Sequence, residues 1–391
     1  MNQKTILVVG GGYAGLSVVD SLRKTFRERI GKSIRLVLLD KEPYHFKKVR
    51  LVQAPREKGV PLRVPFSAFG WDDVERLQGE LTGVEPDRGR AIYTRPDGKT
   101  DTISFDRLVL AVGSVVRHPP EGSEGFALRN MEDAEALRDT LRRVGQRASP
   151  SGRKSEPLCA AVVGGGITGI ETAAELAYRL REEAVAHGME EDRVLVRLID
   201  AGQYLFPEAG RRVAHRLEKR LKRMGVEVLH GVKALRCNEG IVHLDNGKTI
   251  PAQLCVWALG VEPNPLLRRL GLPLHDDGRL LVDPWYRVKG HETLYAIGDC
   301  ARVTDPKTGK PNGMTCKEGI VQARRLAEII RAQMDGLSAP AHTSFPSLCC
   351  IGLGPKDGFI WARKWGVDFI LTGHLGMKVR EYTWNAASLM K

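Results

Sequence analysis

The chain has 391 residues, 42% hydrophobic and 27% charged, with a formal net charge of +13. That length carries two or three cored domains, and the composition excludes a disordered or low-complexity chain. The basic excess suits anionic partners such as dinucleotides or an anionic membrane face. With no basic helix interleaved with aromatics and no recognisable motif, nucleic acid is not an expected partner.

The N-terminal MNQKTILVVGG enters a strand without the charged and apolar regions of a secretory leader. No window approaches the ~18 uninterrupted apolar residues of a membrane span. The expected location is cytoplasmic. Seven cysteines (Cys159, Cys237, Cys255, Cys300, Cys316, Cys349 and Cys350) are scattered without C-x-x-C spacing. Free thiols are therefore expected, with no zinc site and no disulfide framework.

In chain order, TILVVG is a β-branched run of the kind buried in parallel sheets, closed by glycine. A helix from about Ala14 to Lys24 and the strand IRLVLLD complete a βαβ unit, half of a Rossmann fold. RPDGKTDTISFDRLVLAVGS alternates as a hairpin and ends in an apolar strand closed by Gly113. The charged stretch from about Glu121 to Lys154 reads as helical, with SPSGRKSEP as a surface loop. The plan then repeats: strand LCAAVVGG, helix IETAAELAYRL, strand RVLVRLID and a further strand QLCVWALG closed by Gly260. After about Leu281 come the strand TLYAIGDCA and a helix near Ile320 to Gln333. The tail from about Ala341 reads as short strands around glycines, without amphipathic helices.

Two glycine fingerprints mark these units. In Gly10-x-Gly12-x-x-Gly15, the first glycine permits the tight turn, the second lets backbone approach a pyrophosphate, and the third allows helix and strand to pack closely. The helix N-terminus supplies N–H groups and partial positive charge. Asp40, at the end of the second strand, is placed to accept from a ribose hydroxyl. Gly164-x-Gly166-x-x-Gly169 repeats the pattern, with Asp200 closing its second strand. An acid there accepts from a 2′-hydroxyl and repels a 2′-phosphate, favouring NADH over NADPH. Glu171 and Glu175, at i and i+4 on the following helix, read either as site carboxylates or as ordinary helix-surface residues. A second redox carrier beside a nicotinamide points to a flavin. Gly298-Asp299, ending an apolar strand, is placed to bring an aspartate to the ribityl chain of FAD.

These segments resemble the pyridine nucleotide-disulfide reductase superfamily and, within it, the type II NADH dehydrogenases, single-chain FAD enzymes that pass electrons from NADH to quinone. The resemblance covers about residues 4–335 and is carried by ILVVGGGYAGLS, KEPYHF, RLVLAVGS, VVGGGITGIETAAEL, VWALGVEPNP and TLYAIGDCA. It implies FAD contacts from Gly10, Gly12, Gly15, Asp40, Lys41, Val112, Gly113, Gly298 and Asp299. It implies an NADH site lined by Gly164, Gly166, Gly169, Glu171, Asp200, Gly260 and Val261, with Glu171 helping to position the nicotinamide. The family's glutamine pair near the quinone corresponds to Lys317 and Gln322 in TCKEGIVQA. Residues 40–60 contain no cysteine, which disfavours the dithiol chemistry of the disulfide reductases.

The expected fold is α/β, with two Rossmann-like dinucleotide-binding domains plus a short C-terminal α/β segment. FAD would occupy a discontinuous domain of residues 1–113 and 285–338, NADH would occupy residues 114–284, and residues 339–391 form the C-terminal segment. The expected reaction is hydride transfer from NADH to FAD, then electrons to a quinone or similar acceptor. Peripheral contact with the inner face of the cell membrane and a homodimer are both compatible with this reading. Two alternatives stand beside it. One is a thiol-dependent sulfide:quinone or disulfide oxidoreductase using Cys316, Cys349 or Cys350. The other is an NADH-responsive flavoprotein resembling apoptosis-inducing factor. Adjacent residues on a strand point to opposite faces, so at most one of Cys349 and Cys350 would face a flavin.

Overall fold

The computed structural model describes residues 3–54, 61–147, 157–344 and 347–389. Its helices, in chain order, are α1 (Tyr13–Thr25), α2 (Met131–Arg147), α3 (Ile167–Ala186), α4 (Arg211–Arg223), α5 (Cys316–Met334) and α6 (Gly373–Ala387).

The β-branched runs form two parallel sheets. In the first, the strands are ordered Leu294–Ala296, Arg107–Leu110, Lys4–Val9, Ile34–Asp40 and Glu75–Gln78. Val8 lies in register with Leu38 on one side and Val109 on the other. The second sheet is ordered Val226–His230, Val194–Asp200, Leu158–Val163 and Leu254–Trp257, with Val162 between Leu198 and Val256. Both faces of these central strands are covered, which is why they read as unbroken apolar runs. Leu7, Leu38, Val109, Val162 and Leu198 are almost wholly buried, and truncating such a leucine to alanine costs about 2–5 kcal/mol.

Each sheet carries a three-stranded antiparallel meander, Glu80–Ser104 beside the first and Ala234–Pro251 beside the second. A short antiparallel ladder, Ser114–Val116 against Val261–Pro263, joins the two units. The tail forms an antiparallel sheet of Leu348–Leu353, Asp357–Lys364 and Val367–Thr372, followed by α6.

Two expectations about secondary structure are corrected. The helix expected over 121–154 begins at Met131, because the preceding residues are held extended. Glu124 N–H donates to the Cys237 carbonyl, Phe126 N–H donates to the Cys255 carbonyl, and Gly125 takes φ +111°. Asn130 Oδ1 then accepts from Asp133 N–H (2.8 Å) and caps the helix. Residues 148–156 of the expected stretch lie outside the described residues. The tail expected to be strand-rich also contains a full helix, α6. GHLGMKVREYTWNAA has weak intrinsic helicity, so packing supplies the stability. Gly376 and Gly358 meet backbone to backbone, and Met377 and Trp384 are buried.

Candidate active site

The two glycine loops have nearly the same geometry. Gly10 (φ +106°) and Gly164 (φ +114°) both lie in the region open to glycine. A Cβ at Gly10 would strike the Ala111 carbonyl, and one at Gly164 would strike that of Ala258. A Cβ on Gly15 would sit against the Gly10 carbonyl, and one on Gly169 against the Gly164 carbonyl. At Gly12 and Gly166, by contrast, a Cβ would meet nothing within 4 Å. The middle glycine of each loop therefore faces open space above a helix N-terminus, which fits the pyrophosphate of a dinucleotide.

Behind each loop stands its aspartate. Asp40 accepts from Gly11 N–H and, at 2.8 Å, from Glu42 N–H. Burial raises its pKa, and these two hydrogen bonds pull it back. Asp200 accepts from Gly165 N–H at 3.1 Å. Both carboxylates thus brace their own loops at the ends of the second strands.

Around the first loop, Asp299 accepts from Ser114 Oγ at 2.6 Å. Burial pushes its pKa up, while Ser114 and the cation of Lys48 lower it. Gln322 is buried on α5, and its Oε1 accepts from Gly298 N–H at 2.7 Å, fixing the Gly-Asp turn. The expected acceptor-side glutamine therefore supports the first nucleotide unit from behind. Lys41 is exposed, and its carbonyl accepts from Gln78. His45 is fully buried, with Nδ1 donating to the Gly11 carbonyl at 3.0 Å and Nε2 without a hydrogen-bond partner among the described residues. Burial lowers its pKa to about 4, so the ring is neutral.

Residues expected at different nucleotides meet at the ladder between the units. Asn264 donates its side-chain amide to the Val112 carbonyl and its backbone N–H to that of Gly113, both at 3.1 Å. Gly260 (φ +81°) accepts from Arg117 N–H, and Val261 pairs with Val116.

Around the second loop, Glu171 and Glu175 are both buried (6% and 5% exposed), which overturns the helix-surface reading. Glu171 accepts Gly352 N–H at 2.7 Å and takes Arg380 of α6 in a two-pronged pair at 2.9 and 3.0 Å. Burial pushes its pKa up, against the pull of Arg380 and Gly352. Trp384 lies beneath the guanidiniums of Arg380 (4.8 Å) and Arg50 (5.9 Å). Lys317 donates to the Leu348 carbonyl (3.4 Å) and to Cys350 Sγ (3.5 Å).

The two adjacent cysteines point apart as expected: Cys349 enters the core of the second unit, while Cys350 meets Lys317. All seven cysteines are free thiols, and no group that could hold a metal occurs among the described residues. Residues missed in the sequence are Lys48, Ser114, Asn264 and Arg380. Ser114 adjoins a motif glycine. Asn264 lies within the quoted VWALGVEPNP, and only Lys48 and Arg380 are brought in by segments that carry no local signature.

A family model described as pyridine nucleotide-disulphide oxidoreductase matches residues 4–336. The chain is 24% identical over 363 residues to the NADH dehydrogenase-like protein YutJ of Bacillus subtilis, covering 91% of this chain and 92% of that one. It is 25% identical over 375 residues to a type II NADH:quinone oxidoreductase of Staphylococcus aureus, covering 91% and 89%. Among solved structures, NDH2 from Plasmodium falciparum in complex with NADH matches with a TM-score of 0.82 at 15% identity, covering 99% and 97%. The sulfide:quinone oxidoreductase of Aquifex aeolicus matches with a TM-score of 0.78 at 17% identity, covering 98% and 90%. These likenesses agree on the fold, two Rossmann-like units with a C-terminal α/β segment. With a match running from the first glycine loop through Asp299 to the end of α5, the chain belongs to the pyridine nucleotide-disulphide oxidoreductase family.

Proposed function

We propose that the protein is an FAD-dependent NADH dehydrogenase that delivers electrons to a quinone. The observation that carries this reading is the pair of open-backed glycine loops, joined by one ladder and flanked by a turn, Lys48–Gln53, that contains no cysteine. Bound FAD would supply two-electron redox chemistry between nicotinamide and acceptor. Gly10, Gly12, Gly15, Asp40, Gly113 and Asp299 would hold it. Gly164, Gly166, Gly169, Asp200 and Gly260 would hold NADH. The protein contributes orientation and local charge. Lys317 would face the acceptor, and Glu171, neutralised by Arg380, would close the nicotinamide side. Relatives of similar length named as NADH:quinone oxidoreductases support this assignment.

Attachment to a membrane would be peripheral. No helix among the described residues is long and apolar enough to cross one. The Val367–Thr372 strand is a free edge whose outward residues Val367, Phe369 and Leu371 are 40–55% exposed, with Trp365 85% exposed at its turn. The neighbouring α4, tied to this sheet by Arg220 and Asp357 (2.6 Å), exposes Arg211, Arg212, Arg216 and Lys219. An apolar edge flanked by cations suits an anionic bilayer. Phe369→Ser together with Trp365→Ser should abolish sedimentation with anionic vesicles. A loss of dimer with unchanged vesicle binding would assign the edge to a second copy instead.

Anaerobic stopped-flow mixing with NADH, then with a soluble quinone, tests the main reading. Fast reduction followed by fast reoxidation is expected. Lys317 beside Cys350 favours a second reading, thiol-dependent turnover on sulfide or a disulfide. In that case Cys350→Ser would abolish activity and quinone reoxidation would be slow. Slow reoxidation by every acceptor would point to an NADH-responsive flavoprotein.

A further inference from the structure

Two of the buried thiols come together across the second unit. Cys237 lies on the strand Ala234–Asn238 of the second meander, and Cys255 lies on Leu254–Trp257 of the second parallel sheet. They are 2% and 3% exposed and share one core with Ala161, Val242 and Trp257. A single short stretch of chain holds both. Glu124 N–H donates to the Cys237 carbonyl at 2.8 Å, and Phe126 N–H donates to the Cys255 carbonyl at 2.9 Å. Trp257 ties the same stretch down, its indole Nε1 donating to the Glu124 carbonyl at 2.9 Å.

The residue between those two bonds is Gly125, and it is exposed. A Cβ added there would lie 3.1 Å from the Cys255 Cβ, so the cover over this side chain is a bare glycine backbone. The pair also differs from the other core thiols. Burial pushes Cys300 up to about 11 and Cys349 up to about 12. Cys237 instead is lowered, because the Cys255 thiol donates to it, and the same interaction raises Cys255. A thiol inclined to ionise, beside one that keeps its proton, matches the roles of an attacking and a resolving cysteine.

We infer that Cys237 and Cys255 form a redox-modification site, which hydrogen peroxide closes to a disulfide. The Cys237 sulfur attacks one peroxide oxygen, the O–O bond breaks, and the departing hydroxide takes the Cys237 proton and leaves as water. The Cys255 sulfur then displaces the hydroxyl of the resulting sulfenic acid. The S–O bond breaks, the S–S bond forms, and the Cys255 proton departs in a second water. Each sulfur loses one electron and the peroxide gains two. Cys255 pairs with Ala161, three residues before the Gly164 loop, and its own strand leads to Ala258, whose carbonyl lies against Gly164. Drawing the sulfurs together shifts this support, so closure weakens NADH binding. That consequence, unlike the bond itself, rests on the NADH reading above.

The experiment exposes the full-length protein to hydrogen peroxide, blocks the remaining thiols and digests it without reductant. Mass spectrometry reads the linked peptides, and equilibrium dialysis reads NADH affinity before oxidation, after it, and after dithiothreitol. A Cys237–Cys255 link should form in protein that keeps its near-ultraviolet circular dichroism. NADH affinity should fall about tenfold and recover with dithiothreitol. Cys255→Ala should show neither change, and its Cys237 should stop at a sulfenic acid that dimedone traps. Peroxide that oxidises other cysteines while Cys237 and Cys255 stay free would overturn the inference. So would a link that forms only after the circular dichroism is lost, since it would belong to the unfolded chain. A link with unchanged NADH affinity would uphold the site and overturn its control of binding. If Cys255→Ala does not fold, Cys237→Ala is held to the same absence of link and of affinity change. Untreated protein that binds no NADH would overturn the nucleotide reading, and the link would still be decided by mass spectrometry.

Discussion

The two nucleotide loops share a glycine geometry but differ in what closes over them. The first lies beneath a neutral buried histidine, a serine-held aspartate and a lysine from a neighbouring turn. The second adjoins a carboxylate already neutralised by an arginine some two hundred residues later. The glycines establish that a dinucleotide can approach. Which dinucleotide, and how its charge is managed, depends on residues delivered by distant elements.

The sharpest way to break the comparison is to damage one loop at a time. Gly15→Val would drive a side chain into the Gly10 carbonyl. It should leave a colourless protein with no NADH oxidation, read by flavin absorbance. Gly169→Val makes the same clash in the second loop. It should keep the flavin but weaken NADH binding by about a hundredfold or more, as expected for strain of about 3 kcal/mol. Equal loss of flavin in both would dissolve the distinction between the sites.

Next in size is the buried pair of the second unit. Arg380→Met would leave Glu171 charged and unmatched, with both side chains under 10% exposed. The expected cost is about 3–5 kcal/mol in denaturant unfolding. Pairing it with Glu171→Gln should recover much of that loss, because neither charge then remains.

His45 gives the first unit a pH dependence of its own. Its pKa lies near 4 in the fold and near 6.5 when unfolded. Below 6.5 the unfolded chain binds a proton that the folded chain refuses. Stability should therefore fall as pH drops from 6.5 towards 4, by about 3 kcal/mol in all. His45→Gln should remove this part of the acid limb of the stability curve.

The smallest expected effect concerns coenzyme choice. Asp200→Ser should narrow the preference for NADH over NADPH by about tenfold in flavin reduction rates. An unchanged ratio would mean that the bracing of Gly165 is the main role of this carboxylate.

Much of this was legible in the sequence because the signals were local. Six glycines at fixed spacing, two aspartates and a Gly-Asp pair all lie at the loops and strand ends that the local pattern predicts. Gln322 lies on the expected helix, and its bond to Gly298 N–H is a contact that helical spacing does not reveal. For Glu171 and Glu175 the choice between site and surface carboxylates stayed open in the sequence, because the helix that buries Glu171, α6, has little helical propensity of its own. The close backbone approach of Gly376 to Gly358, which leaves no room for a Cβ, is a tertiary event that no window of sequence contains. Lys48 sat unnoticed two residues after the quoted KEPYHF, because a lysine in a basic chain carries no signal until its neighbours are known.

The short ladder of Ser114–Val116 against Val261–Pro263 has a mechanical consequence. On the proposed assignment, Ser114 follows the bend beside the FAD site, and Val261 begins at the edge of the NADH site. On that assignment, the spacing between the two sites is set by three paired residues of backbone. A single-residue register slip would displace one site by about 3.3 Å and turn its side chains to the opposite face. Because tunnelling and hydride transfer both fall off steeply over such distances, the ladder behaves as a ruler. The spacing belongs to the backbone pairing, while Ser114 adds a second duty by holding Asp299 through its hydroxyl.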